Sequence, residues 1–357
     1  MLENRQAQNA VDAGALAGIA KLCQFGTDTE ITAAAEALIA ANGFTRDEHT
    51  FITTEINRTK NKNQDIVGTV TVTITKDVPK YLIGLVYAGP WLAQADAAGL
   101  CQIPFVWTNQ TVLFAETTVC QDAINVAQSK VTINGGVVAD SDMKLTGSEL
   151  TVHGEGWYNG LYQSDALWTP NSDNPTYTPD PIPMPTLATL DEFRPGGKYA
   201  LSAQVEGLYH YYNSGNQNFN TNANPGMVFE GLYVVEGNLS IIGDQYTIGL
   251  KGATFVTSGL FNASAANITM KPYSAGFIIY SDATTNCGVN AIDLSASGVN
   301  LEGIIYAPNG GVKISASDSN TKMAIFAQTI DLHGANLTID WYESVRNLVR
   351  RTISIAE

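Results

Sequence analysis

The chain opens with a stretch of helical period. Ala7, Ala10, Val11, Gly14, Ala15, Gly18, Ile19 and Leu22 recur every three to four residues over 2–24, as a narrow stripe of small side chains. Such a stripe lets a helix approach closely, against its own domain or against a partner. Thr27-Asp28-Thr29-Glu30 offers N-cap candidates for a second helix from Ile31 to Ala41, which Asn42-Gly43 would end. The polar segment Asn57 to Asp65 reads as a loop. Val67 to Lys76 then alternates, with Val70, Val72 and Ile74 on one side and Thr69, Thr71, Thr73 and Thr75 on the other, the pattern of a half-buried strand. Val78 to Ala98 is apolar and is expected to be partly helical after Pro79. These elements predict a small α+β domain over residues 1–125.

From Val131 the texture changes to short β-branched strands punctuated by Gly, Asn and Asp: Lys130 to Ile133, Val137-Val138, Lys144 to Thr146 and Leu150 to Val152. A Pro-rich segment at 169–195, holding Pro170, Pro175, Pro179, Pro181, Pro183, Pro185 and Pro195, interrupts them. So much proline is incompatible with a central strand and predicts an extended strap. Residues 213–224 are Asn-rich and read as a flexible loop. The strand-turn texture resumes from Phe229 to Asp340, and there a repeat emerges. Asp293-Leu294-Ser295-Ala296, Lys313-Ile314-Ser315-Ala316 and Asp331-Leu332-His333-Gly334 are versions of one strand. Gly303 to Tyr306 and Ala324 to Phe326 form a second family. Coils of about 20 residues stack into solenoids, burying a core that no single coil holds. The fold expected is therefore an α+β N-terminal domain followed by a right-handed parallel β-helix (β-solenoid) at 126–340, with 341–357 as a C-terminal tail. An antiparallel sandwich is the competing reading.

Composition narrows the function. Among 357 residues only 15% are charged, and the net charge is −15. So acidic a surface excludes nucleic acid as an expected partner, because phosphate binding needs clustered Lys and Arg. The basic groups Lys60/Lys62 and Arg346, Arg350 and Arg351 read as solvated faces. Of the four cysteines, Cys101 and Cys120 lie in one segment and are the disulfide candidate in an exported protein, with free buried thiols as the alternative. Cys23 and Cys287 are expected to be unpaired. No run of about 18 apolar residues predicts a membrane span, and Met1 is not followed by a signal-peptide pattern. The opening Leu2-Glu3-Asn4-Arg5-Gln6 reads as though mid-helix, so an upstream segment is expected to be missing.

Chemical motifs are sparse. His49, His153, His210 and His333 are scattered, and no nucleophile elbow, phosphate loop, dinucleotide fingerprint, zinc motif or EF-hand occurs. No catalytic residue, metal or cofactor is implied. Asp140-Ser141-Asp142 has closely spaced carboxylates that suit Ca²⁺, but a turn between strands needs no metal. Asp293, Lys313 and Asp331 occupy one place in the repeat and form the enzyme lead, a polysaccharide lyase or hydrolase; a solvated charge ladder is the plainer reading. Trp157, Tyr158, Tyr162 and Trp168 are the candidate glycan platform, with Tyr177 and the Tyr209-His210-Tyr211-Tyr212 run beside it as further aromatics. Packing against the strap is the alternative.

Two stretches carry a resemblance. The segment from Glu3-Asn4-Arg5-Gln6-Ala7-Gln8-Asn9-Ala10 through Val11-Asp12-Ala13-Gly14-Ala15-Leu16-Ala17-Gly18 resembles the N-terminal signature of TadG/TadE-like proteins of the Flp (Tad) pilus system. Val11 and Gly14 stand where that family more often has alanine. Val70 to Thr75 with Val78-Pro79 is similar to its next strand. Leu190 to Gly197, Gly231 to Gly237 and Gly303 to Pro308 resemble a solenoid region attached to some of these proteins. The resemblance implies a bacterial cell-envelope protein exposed outside the membrane, with an absent N-terminal helix as anchor. Its expected roles are pilus assembly, structure or adhesion, with other pilus or envelope proteins, further copies of itself or a surface glycan as partners.

Overall fold

The computed structural model describes residues 2–61, 65–77, 92–103, 110–117, 120–128, 130–169, 175–244, 247–348 and 352–356. The chain divides into two units: residues 1–108 with 350–357, and residues 109–349. In sequence, the second unit is therefore an insertion within the first.

The first unit holds helices α1 (Leu2–Leu22) and α2 (Asp28–Ala41) and strands β1 (Thr50–Lys60), β2 (Ile66–Asp77) and β3 (Leu92–Ile103). The strand Thr352–Ala356 completes an antiparallel sheet in the order β1, β2, β3, Thr352–Ala356. Thr27 caps α2 in a capping box with Glu30. The small-residue stripe of α1 is used inside the unit. A Cβ on Gly14 would lie 2.7 Å from Ile39 Cγ1, and one on Gly18 would lie 2.9 Å from Val70 Cγ1. Glycine is what lets α1 sit this close to α2 and β2.

Several expectations are corrected here. Leu92–Ile103 is a strand, not helix, and alternating Ala93, Ala95 and Ala97 are buried along it; pairing on both edges overrides the helix propensity of alanine. Residues 78–91 of that apolar stretch lie outside the described residues, as do Lys62, Pro170, Arg350 and Arg351. The expected loop at Asn57 is the second half of β1. The expected C-terminal tail contributes the strand that pairs with β3. The domain boundary falls near 108 and not 125, because Thr111–Ala115 and Ile124–Gln128 already belong to the second unit.

The second unit is a β-helix-like stack of parallel strands in three columns, 18 strands among the described residues. One column runs Tyr209–Tyr212, Val228–Val235, Thr247–Thr257, Phe277–Ser281 and then 304–306. It continues with 325–327, Thr111–Ala115, Gly136–Ala139, Gly156–Tyr158 and Thr176–Tyr177. Hydrogen bonds between adjacent coils join residues 20 to 22 apart. Inward positions such as Leu113, Val137, Ile279, Ile305 and Ile325 form one continuous apolar core. The parallel register excludes the antiparallel sandwich.

The coils are not stacked in chain order. The chain enters mid-stack at 111, builds coils outward to 177, and re-enters at 209 to build the other half. Its last coil docks on its first: Ile325–Ala327 on Leu113–Ala115, Ile330–Gly334 on Ile124–Gln128, and Leu337–Asp340 on Val131–Asn134. The Pro-rich segment is the return path. Residues 178–194 pass the coils in reverse order. Thr178 N–H donates to Tyr158 O, Ile182 N–H to Asp140 Oδ1 at 2.8 Å, and Met184 N–H to Glu116 Oε2 at 2.7 Å. Leu187 N–H then donates to the Tyr306 hydroxyl, and Arg194 pairs with both oxygens of Glu236. Prolines lack donors, and two of the donors that remain, at 182 and 184, meet carboxylates. The strap covers an outward apolar row, including Val138, Phe114, Phe326, Tyr306 and Tyr280, all at 2% exposure or less. Phe193 packs against Tyr199, Phe277 and Tyr280. A helix, Lys198–Val205, ends the return. The Asn-rich segment is not wholly a loop, since Gln217–Asn220 pairs with Leu239–Ile242.

Candidate functional site

The cysteines pair differently from the expectation. Cys23 bonds Cys101 in the first unit, and Cys120 bonds Cys287 in the second. Cys101 and Cys120 fall in different units, and each pairs within its own. Two disulfides and no free cysteine are the pattern of an oxidising, extracytoplasmic compartment.

The Cys120–Cys287 bridge crosses the seam between the two halves. Cys120 follows Thr111–Ala115, and Cys287 lies on the loop 282–289 after Phe277–Ser281. The two coils between them turn more tightly, at 307–311 and 328–329. The disulfide thus spans two intervening coils. Beneath lies a cavity of about 430 Å³ lined by Glu116, Thr117, Thr285, Asn286, Pro308 and Gln328 with the two cysteines. Thr117 Oγ1 accepts from Cys120 N–H, and Thr285 Oγ1 from Gly311 N–H. Glu116 commits one oxygen to the strap. Among the described residues its other oxygen and the side-chain amides of Asn286 and Gln328 make no hydrogen bond.

One coil along from Glu116, Asp140 is 6% exposed and its Oδ2 has no hydrogen-bond partner among the described residues. Burial pushes its carboxyl up to about 6; the Ile182 N–H opposes the rise and the nearby Glu116 charge adds to it.

The residues singled out from sequence are placed as follows. Trp157 and Trp168 are buried at 7% and 5%, so they present no open faces to a sugar. Trp168 belongs to the core and donates to the Tyr162 hydroxyl, and Tyr158 packs on Tyr162 and Tyr177. This cluster lies at the end of the stack reached at 177, with Tyr158 and Tyr162 half-buried. Asp293 accepts from Ser295, while the Asp331 carboxylate accepts from Asn125 and lies 2.8 Å from His333 Nε2. Asp140 ties down the strap and Asp142 accepts from Leu161 N–H. Among the described residues no group of three or more His, Cys, Asp or Glu is placed to hold a metal ion. None of their helices is long and apolar enough to cross a membrane.

Glu116, Asn286 and Gln328 were not singled out from sequence. The available signal was two long turns, each carrying a cysteine, flanking the compact Pro308-Asn309-Gly310-Gly311 turn. Comparison with family models, curated proteins and solved structures returns no match.

Proposed function

We propose that this chain is a non-enzymatic, extracytoplasmic surface protein of a bacterial Tad/Flp-type pilus system, acting in pilus assembly, structure or adhesion. The observation that carries the reading is a disulfide-bonded solenoid inserted between two neighbouring strands of a small helix-and-sheet unit. Each unit holds one disulfide, as an exported chain would. A solenoid presents long, regular faces suited to display. The Glu3 to Gly18 signature supplies the pilus assignment, with the first unit as the TadG-like α+β domain and an upstream helix as its membrane anchor. The coils are read as right-handed, the hand that strand-crossover-strand connections take in about 98% of cases.

The test is made in the source bacterium. A short epitope inserted at exposed Gly215 is expected to be reached by antibody on intact cells, and the protein to co-purify with sheared surface fibres. A deletion strain should lose fibres or attachment. Retention of the protein in the cytoplasm with reduced cysteines would sink the reading.

A further inference from the structure

We infer that the end of the stack formed by residues 208–229 is a self-association surface, and that its partner is the same end of a second copy of this chain. The strands Tyr209–Tyr212 and Gln217–Asn220 pair on one edge only, with Val228–Val235 and Leu239–Ile242, among the described residues. Their inward side chains line the core. His210 stands over Tyr233, Tyr212 over Val235, Gln217 over Leu239 and Phe219 over Ile241. The second member of each pair is buried. The first members, together with Met227, stay half-exposed, because no further coil covers them. Solenoids remain soluble by giving the terminal coil a polar outer face. This end instead presents rings, amides and unpaired backbone groups.

Three observations point to a second copy as the occupant. First, the molecule already makes this kind of contact. At the seam, Ile325–Ala327 docks on Leu113–Ala115 with no peptide bond joining the coils, so coil-on-coil docking needs only matching edges. Second, the end carries no charge that would oppose a copy of itself. No Asp, Glu, Lys or Arg occurs between Glu206 and Glu230. Edge strands are ordinarily blunted by charge, as Thr50–Lys60 is by Glu55, Arg58 and Lys60. Two copies carrying −15 each repel one another, and here they can meet without a like-charge pair. Third, the groups match themselves. The exposed amides of Asn218 and Asn220 both donate and accept, and the rings of Tyr212 and Phe219 suit aromatic contacts. A surface that meets itself closes on a two-fold axis and stops at two copies, with edge strands exchanging antiparallel backbone hydrogen bonds. This inference does not depend on the pilus assignment, since it concerns one end of the solenoid.

Sedimentation velocity and light scattering of the oxidised full chain at micromolar concentration test it. A particle of twice the chain mass is expected. Added salt should tighten the pair, since it screens the repulsion between copies and the contact holds no ion pair to weaken. The double variant Asn218→Lys/Asn220→Lys charges an exposed edge outside the core and should weaken association about tenfold or more. Asn218→Asp/Asn220→Asp, of the same shape as the wild type, should do likewise. Gln163→Glu, at the opposite end of the stack, should associate as the wild type does. A monomer at the highest concentration, growth beyond two copies, dissociation by salt, undiminished association in both double variants, or its loss in Gln163→Glu would each overturn the assignment.

Discussion

The Asn125 side-chain amide donates to Asp331 Oδ1 at 2.8 Å, across 206 positions of chain. Asn134 and Asp340 repeat the contact at 2.6 Å with the same separation. These pairs mark a seam where the first-formed coil meets the last with no peptide bond between them. The disulfide is the covalent link that crosses it, and it closes a loop of 167 residues. Replacing Cys120 and Cys287 by serine is expected to cost about 2–5 kcal/mol. Urea unfolding of the oxidised protein and the double variant measures the difference. Equal midpoints would mean that the ladders and strap hold the seam alone.

The strap is held by packing more than by charge. Phe193 is fully buried among Tyr199, Phe277 and Tyr280, and Phe193→Ala is expected to cost about 3–5 kcal/mol. Arg194 is partly exposed, so Arg194→Met should cost only about 1 kcal/mol despite its paired contacts to Glu236. Limited proteolysis should cut the Phe193→Ala strap before the coils open, and leave the Arg194→Met strap nearly as resistant as the wild type.

Asp140 makes strap docking depend on pH. Its folded carboxyl titrates at about 6 against an ordinary 3.8, so the folded state holds the proton more tightly. Its contribution to stability is complete below the unfolded value and is lost as pH rises through 6. The rise corresponds to roughly 3 kcal/mol at most. Asp140→Asn should therefore gain on the wild type between about pH 4 and pH 8. Unfolding midpoints of both proteins across that range check the slope; a gap that shrinks with rising pH would contradict it.

Coil spacing fixes certain backbone positions. Gly334 has φ +138°, and a Cβ there would lie 1.6 Å from the Ala316 carbonyl oxygen of the neighbouring coil. That backbone cannot yield without breaking the stack, so Gly334→Ala should cost about 3 kcal/mol or more. Gly215, at φ +75° with nothing near its Cβ position, should cost about 1–2 kcal/mol through conformation alone. Thermal unfolding of the two variants separates close approach from strain.

The stack was legible because Asp293, Lys313 and Asp331 open near-identical strands, and identical strands at a constant spacing mean coils. The mid-stack entry was not legible. Thr111–Ala115 is buried at every position, since the strap covers its outer face, and a strand covered on both faces loses the alternation that would announce it. The β3 strand did carry its signal, in the alternation of Ala93, Ala95 and Ala97 with Gln94 and Asp96, but alanine reads equally as helix. Cysteine pairing was beyond reach, because the partner of Cys101 follows from the placement of β3 beside α1 and that of Cys120 from the mid-stack entry, neither of which sequence spacing reports. The aromatics misled for a related reason: Trp157 and Trp168 look like a surface cluster until the end of the stack where they lie is known.

The insertion of the solenoid also imposes an order in time. A chain made from its N-terminus completes α1, α2 and β1 to β3 early, yet the strand that covers the outer edge of β3 is made only after the whole solenoid. Until then β3 is a bare edge, open to pairing with any extended segment nearby. The first-made coil waits in the same way for the coil that ends at Asp340. Both units thus finish together, and a truncated or stalled chain leaves each with an exposed ladder.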